Sequence, residues 1–237
     1  MAEYLFVLIV FLANVVEGIT GFAGTMLAMP AAMLLIGVDE AKIILNIVAI
    51  FVSSNIAVRN YRDMDKKQAV KISLLMFFGM AAGLYLYRML PARILMSVYG
   101  GLLILAALRG LFKKKERSFP AGALICVVLL AGIIHGMFLS GGSLLVIYAV
   151  AVLKDKSVIR ATLAPVWIVL NGSMLIQNIA EGAVTAEILR LTGWCVIPVI
   201  TALYLGQILH KRMKQEFFVK LTYVLLIISG CTLQFPA

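Results

Sequence analysis

Charged residues are scarce in this chain, since only 14% of its 237 residues are Asp, Glu, Lys or Arg, whereas 63% are hydrophobic. Ordinary soluble domains contain about 25% charged and about 45–50% apolar residues. One core cannot bury so much apolar surface, and no hydrophilic stretch is long enough to form a soluble domain. We therefore expect a polytopic membrane protein. The opening "MAEYLF" has an acid where a signal peptide has basic residues, so no cleaved leader is expected.

Cysteines and catalytic motifs are equally scarce. The three cysteines, Cys126, Cys195 and Cys231, lie inside apolar runs at spacings that predict neither a disulfide framework nor a metal site. There is no P-loop, no H-E-x-x-H and no G-x-S-x-G, and the apolar segments hold too few carboxylates for a divalent-metal path. We expect no enzyme activity, no cofactor and no bound metal.

Basic residues exceed acidic ones, which gives a net charge of +10. Most of the Lys and Arg residues fall in short connectors at 59–71, 109–117, 154–160 and 209–220. Basic residues confined to short loops between apolar spans orient helices in a membrane and do not indicate a nucleic-acid partner. These connectors are predicted to be cytoplasmic. The acidic connector at 181–186 and both termini are predicted to lie outside.

The apolar segments form two sets of five, separated by a basic cytoplasmic linker at 113–118. They lie at 4–16, 22–37, 41–58, 69–87 and 94–112, then at 120–135, 139–153, 158–180, 186–209 and 217–235. They lack the alternation of barrel strands, so we expect helices. The first membrane repeat is predicted over 1–112 and the second over 119–237.

The two halves resemble each other when residues 14–30 are aligned with 132–148. The aligned pairs are Gly18 with Gly136, Gly24 with Gly142, Glu17 with His135 and, in the third segments, Asn55 with Asn171. An odd number of passes per half inverts the second copy. The predicted fold is an all-α polytopic membrane protein with two inverted repeats of five hydrophobic helical segments. The first two segments of each repeat are short, so they are either paired helices in a thin region or re-entrant hairpins.

Each repeat carries a glycine motif, "EGITGFAGT" in the first and "HGMFLSGGS" in the second. Glycines let backbones approach closely, and a helix that starts after a break attracts an anion. The candidate substrate-binding residues are Gly18, Thr20, Gly21, Gly24, Thr25, Asn55, Gly136, Ser140, Gly141, Gly142, Ser143 and Asn171. The structural alternative is close helix packing through small residues.

Glu17 and His135 are the ionisable residues that lie well inside apolar segments. Such residues mark transport paths, and histidine titrates near neutral pH, so both are proton-coupling candidates. The alternatives are a hydrated Glu17 at the membrane boundary and a His135 whose hydrogen bonds are satisfied in the core. Arg160 is predicted to be a cytoplasmic anchor, and the alternative is a residue that meets an anionic substrate at the mouth. His210 is predicted to be a solvated loop residue.

The two glycine motifs, each followed by an apolar run, the repeated asparagine helix and the related segments 83–91 and 206–214 resemble the sulfite exporter TauE/SafE family of anion transporters. The resemblance implies an inner-membrane transporter for small sulfur-containing anions such as sulfite, sulfonates or thiosulfate. We expect alternating access, with the two motifs meeting near the midplane. The expected partners are the anion, the lipid bilayer and, in one arrangement, further copies in a homo-oligomer. A passive anion channel and a non-transporting anchor subunit stay open as alternatives.

Overall fold

The computed structural model describes residues 2–89, 120–153, 155–232 and 234, with separate positions at 97, 100, 101, 104, 105, 107, 108 and 111. Every regular element in these ranges is helical, and a short 3-10 turn, Tyr61–Asp63, follows the third helix. The helices are α1 (Ala2–Thr20), α2 (Gly24–Ile36), α3 (Val38–Asn60), α4 (Lys66–Met89), α5 (Ala121–Phe138), α6 (Gly142–Val152), α7 (Lys156–Ala180), α8 (Ala186–Arg212) and α9 (Gln215–Thr232). The predicted segment 94–112 lies mostly, and the linker 113–118 wholly, outside the described residues.

The helices have the composition of membrane spans. Within the described ranges, α1, α3, α4, α7 and α8 are long and apolar enough to cross a membrane. Large apolar side chains point outward from them, among them Leu8 and Leu12 of α1 and Ile197 of α8. Apolar surface of this extent suits lipid and not water. The prediction of an all-α polytopic membrane protein is confirmed.

Helix lengths correct one expectation about the first two segments. Helix α1 has 19 residues and reaches about 28 Å, so the prediction of a short first segment is wrong for it. It runs through Gly18 to Thr20 because close packing on α8 supports it there. Helices α2 and α6 have 13 and 11 residues, about 20 and 17 Å against a hydrocarbon core of about 30 Å. The second segment of each half is therefore short, and re-entrance stays a prediction.

The chain divides into two compact units, and each unit combines segments from both halves of the sequence. Unit 1 holds residues 1–73 and 157–213, so it contains α1, α2 and α3 together with α7 and α8. Unit 2 holds residues 74–156 and 214–237, which include most of α4, all of α5 and α6, and α9. The compact units therefore do not coincide with the predicted repeats. The repeats stay a prediction about sequence duplication and topology.

In unit 1, α1 packs closely against α8. A Cβ atom added to Gly18 would lie 3.0 Å from the Cα atom of Gly206, and one added to Gly206 would lie 2.7 Å from the Cα atom of Gly18. Only a pair of glycines allows this separation. Apolar side chains of α1, α2, α3 and α8 extend the contact into one core, with Phe6, Val10 and Val52 fully buried.

In unit 2, α4 packs against α5 through two glycines on each helix. A Cβ atom added to Gly79 would lie 3.0 Å from the Cα atom of Gly132, and one added to Gly136 would lie 3.1 Å from the amide nitrogen of Leu84. Gly79 and Gly83 are four residues apart on one face of α4, which is the spacing of close helix pairs. Each helix that precedes a glycine break therefore packs on a helix from the opposite half of the sequence.

Candidate functional site

The first glycine motif breaks the backbone between α1 and α2. Helix α1 ends at Thr20, α2 begins at Gly24, and Gly21 between them has a φ of 83°. The amide of Gly21 donates a hydrogen bond of 2.6 Å to the carbonyl oxygen of Glu17. A Cβ atom at Gly21 would lie 2.9 Å from the Cγ atom of Arg160. Glycine is needed here for its left-handed conformation and for the space that the arginine occupies.

Glu17 lies inside unit 1, with only 5% of its surface exposed. One carboxylate oxygen accepts a hydrogen bond from the amide of Gly24, the first residue of α2. The amides at a helix start lack partners within the helix and form the positive end of its dipole, so they stabilise a carboxylate there. The alternative of a hydrated Glu17 at the boundary is wrong. The start of α2, predicted to attract an anion, is contacted by the protein's own carboxylate.

Arg160 lies on the first turns of α7 and is 4% exposed. Its charge interacts electrostatically with Glu17 and with Arg59 of α3. The Nε atom has no hydrogen-bond acceptor among the described residues. The prediction of a cytoplasmic anchor is wrong, because the side chain packs over Gly21 inside the unit instead of reaching the surface.

The same face of α7 carries two further groups, Trp167 and Asn171, which follow Arg160 by about two and three helical turns. The indole Nε1 of Trp167 donates a hydrogen bond of 2.9 Å to the carbonyl oxygen of Gly21. Asn171 is buried, and its Oδ1 atom has no donor among the described residues. Helix α7 therefore carries a cation, an N–H donor and an amide on the face that contacts the break.

His210 joins α8 to the end of α1. Its Nδ1 atom lies 2.7 Å from the carbonyl oxygen of Ile19, and its Nε2 atom lies 3.5 Å from the hydroxyl of Ser157. A carbonyl only accepts, so Nδ1 carries the proton and donates. The prediction of a solvated loop residue is wrong, because α8 continues to Arg212 and holds His210 at 5% exposure. The contact satisfies a carbonyl in the last turn of α1.

The threonine hydroxyls of the first motif differ in their surroundings. The hydroxyl of Thr20 donates a hydrogen bond of 2.8 Å to the carbonyl oxygen of Val16, and it accepts one of 3.4 Å from the amide of Phe22. Its proton therefore forms a hydrogen bond within the last turn of α1. Thr25 is half-buried in the first turn of α2. Of these two candidate substrate-binding residues, Thr20 has a role in the backbone turn.

The second motif breaks the backbone at the aligned positions. Helix α5 ends at Phe138, α6 begins at Gly142, and Leu139 has a φ of 54°. The alignment of the halves pairs Leu139 with Gly21 and Gly142 with Gly24. A helix end, a left-handed residue and a new helix start thus follow in the same order and register in both motifs.

Polar side chains of the second motif turn toward the backbone. The hydroxyl of Ser140 donates to the carbonyl oxygen of Phe138 at 2.9 Å, and that of Ser143 donates to the carbonyl oxygen of Ser140 at 2.8 Å. His135 is buried, and a Cβ atom at Gly141 would lie 2.7 Å from its Cβ atom. In unit 2, Gly141 therefore provides the space that the start of the His135 side chain occupies.

Three other candidate residues have different positions. Gly18 and Gly136 form the close helix contacts described above, as the structural alternative for the motifs predicts. Asn55 is half-buried and lines a cavity of about 300 Å³ between α3 and α8, with Arg59 and Tyr204 also in its wall. Of the candidates in the first motif, the structure brings Gly21 and Gly24 together with Glu17 and Arg160.

A known protein family matches this chain over almost its whole length. Residues 6–233 match the sulfite exporter TauE/SafE family. The chain belongs to this family. No curated protein and no solved structure gives a match. The match covers both glycine breaks and all the residues around Arg160, so the resemblance noted in the sequence is confirmed over almost the whole length.

TauE/SafE membership and the apolar helices together describe a multi-pass membrane transport protein. The family's description is that of an exporter, which agrees with the expectation that the chain is not an enzyme. Within this TauE/SafE protein, sequence patterns missed Trp167 and the buried position of His210, and they named Arg160 but placed it at the cytoplasmic surface. A signal existed for Arg160 and Trp167, because they recur with Asn171 on one face of a largely apolar helix.

Proposed function

We propose that this TauE/SafE protein is a secondary transporter that moves a small sulfur-containing anion, of the sulfite, sulfonate or thiosulfate class, across the inner membrane by alternating access. The observation that carries the proposal is the buried guanidinium of Arg160 beside the first glycine break. A permanent charge inside an apolar span is costly unless it is paired or faces a polar path, and such residues mark substrate routes. A cation at this place favours an anionic substrate.

The proposed topology is two inverted repeats with both termini outside. Support comes from the matching register of the two breaks, at Gly21 and at Leu139, and from the matching glycine contacts of α1 with α8 and of α5 with α4. Inverted repeats whose helices are interrupted at corresponding positions are typical of secondary transporters. The short helices α2 and α6 then form the interrupted segments, either as re-entrant hairpins or as paired helices.

The proposal includes proton coupling through Glu17 or His135. Glu17 interacts electrostatically with Arg160, and its carboxylate also contacts the amide at the start of α2. A carboxylate held in this way gains a proton more readily when its positive partner is engaged elsewhere. An anion that occupies Arg160 would have that effect, so anion and proton would move together.

A flux experiment in proteoliposomes tests transport. We expect saturable flux of labelled sulfite, thiosulfate or ethanesulfonate, stimulated by the same anion on the opposite side, and faster with a pH gradient than without one. No anion-dependent flux under any gradient would contradict the transporter. Flux that rises linearly with concentration and shows no counter-transport would favour the passive channel.

Two variants test the coupling in the same assay. Glu17→Gln and His135→Gln each remove one titrating group, and we expect at least one of them to abolish the acceleration by a pH gradient. If both variants respond to the gradient as the unmodified protein does, neither residue carries the proton. Flux without a gradient measures transport itself, so loss of coupling and loss of transport are distinguished.

A further inference from the structure

Arg160 has more hydrogen-bonding capacity than its surroundings use. A guanidinium carries five N–H donors in a rigid planar fork and stays charged at all accessible pH values. The Nε atom is buried and has no acceptor in the part of the chain that the structure describes. Nε and the neighbouring terminal nitrogen form one edge of the fork, and this edge binds two oxygens of an oxyanion side by side.

The charges around Arg160 do not cancel. Glu17 supplies one negative charge, but its carboxylate also accepts from the amide of Gly24 at the positive end of α2. Arg59 of α3 adds a second positive charge that acts on Arg160. From α8, His210 approaches the end of α1 with a protonated Nδ1. Arg160, the nearby charge of Arg59 and the start of α2 are therefore offset by one carboxylate, and the cluster favours a second anion.

The backbone around Arg160 fixes where such an anion would lie. Gly21 has a left-handed conformation, its carbonyl is held by the indole of Trp167, and the arginine side chain packs on its Cα hydrogens. An oxyanion bound to Nε of Arg160 would therefore lie close to the break at residues 21–23.

We propose that a small sulfur oxyanion binds the guanidinium of Arg160 beside the break at residues 21–23, and that the Glu17 carboxylate is the resident anion with which it competes. This inference rests on the proposed function and assigns that function's binding residue. The negative charge of Glu17 acts electrostatically on Arg160 when no substrate is bound, and it weakens the affinity of the site for any other anion.

The competition makes the two members of the pair act in opposite directions. A neighbouring charge changes the affinity of a group for an ion by about ten- to a thousand-fold. Glu17→Gln removes the competing charge, so we expect anion affinity to rise at least about tenfold. Arg160→Gln removes the binding group, so the anion response should disappear. Arg160→Lys keeps the charge but loses the planar fork, so we expect affinity about tenfold weaker than in the unmodified protein.

The measurement is the unfolding midpoint of the purified full-length protein in detergent, followed by tryptophan fluorescence. Sulfite, thiosulfate, ethanesulfonate and acetate are titrated at constant ionic strength, with chloride as the balancing anion. Arg190→Gln and Glu187→Gln are the matched controls, because these residues form an exposed ion pair of 2.6 Å in the same unit. Neither control should change the affinity for any probe.

A gain of affinity in Glu17→Gln supports the proposal and cannot arise from misfolding. If Glu17→Gln and Arg160→Gln both weaken the response, the two residues form only a structural ion pair and the proposal is overturned. A response to acetate alone, or to no probe, also overturns it. Binding with the expected signs but without flux contradicts the transporter and leaves the site standing. Flux that is unchanged in Arg160→Gln and Arg160→Lys contradicts the proposed site but not the proposed transporter.

Discussion

Position 21 needs glycine for two reasons, namely its backbone conformation and its close contact with a neighbouring side chain. Its φ of 83° is left-handed, and its Cα hydrogens contact the side chain of Arg160. Gly37 has a similar φ of 87°, but nothing lies within 4 Å of the position that a Cβ atom would take there. The two glycines therefore separate the cost of backbone conformation from the cost of moving the arginine.

Replacing Gly21 with Ala is expected to lower the unfolding free energy by about 1–3 kcal/mol, the usual cost of a strained backbone conformation. It should also remove the stabilisation by sulfite, because the new Cβ atom displaces Arg160. Gly37→Ala should show a comparable loss of stability and keep the full sulfite response. Thermal unfolding of both variants with and without sulfite measures the two effects. Equal sulfite responses would show that the Gly21 contact does not position Arg160.

Single residues of the site differ in how far the sequence could predict them. Glu17 was predicted as a site residue because a carboxylate in an apolar run is unusual by itself. Arg160 follows Lys154, Asp155 and Lys156 closely in the sequence, so its local sequence resembles the flank of a loop. Its burial depends on contact with Gly21, which is far away along the chain, and the one local signal was the helix face that it shares with Trp167 and Asn171.

At the scale of elements, helices pack through glycine in both units. Gly206 of α8 lies against Gly18 of α1, and Gly83 of α4 lies against the backbone of Ile133 on α5. Helices in a membrane gain little from hydrophobic association, so close backbone contact provides much of their attraction. The alignment of the halves pairs Gly83 with Gly206, so the same position makes the cross-half contact in each unit.

Gly206→Ala should destabilise unit 1, because its Cβ atom would lie 2.7 Å from the Cα atom of Gly18 and α1 would have to move from α8. Overpacking of this kind costs about 1–3 kcal/mol. The control is Gly193→Ala on the same helix, where the space is open, and there alanine should stabilise by up to about 1 kcal/mol. Fluorescence of Trp167 and Trp194, both in unit 1, follows the unfolding. A stable Gly206→Ala variant would contradict the tight contact.

The sequence predicted that these helices exist more accurately than it predicted where they end. Helix α1 was predicted to stop at residue 16 because Glu17 and Gly18 interrupt the apolar run, yet it ends at Thr20. The reason is tertiary, since Gly18 fits against α8 and Glu17 reaches Gly24. Helix α8 similarly continues past the predicted 209 to Arg212 and brings His210 onto α1.

At the scale of the whole molecule, charge predicts the topology. The end of α3, the turn after it and the start of α4 carry Arg59, Arg62, Lys66 and Lys67, whereas the connector between α7 and α8 carries Glu181 and no basic residue. The positive-inside rule puts the first in the cytoplasm and the second outside. This opposition is what an inverted second copy requires.

Cysteine labelling in cells tests that topology. In a background with Cys126, Cys195 and Cys231 replaced by Ala, a membrane-impermeant maleimide should label Glu181→Cys in intact cells. Lys66→Cys should be labelled only after the membrane is permeabilised. Both positions are exposed in the structure, so unequal labelling reports the side of the membrane and not burial. Labelling of both from the same side would rule out the inverted arrangement.

Composition was enough to establish a helical membrane protein, and glycine spacing was enough to locate both breaks, because hydrophobicity and backbone freedom are local properties of the chain. Which helices pack together, and which polar groups become buried, was decided by the tertiary structure. Arg160 and His210 show the physical reason: α7 and α8 come from the second half of the sequence and close on α1 from the first. Burial depends on such distant contacts, and these two residues were predicted at the surface because their sequence neighbours are basic.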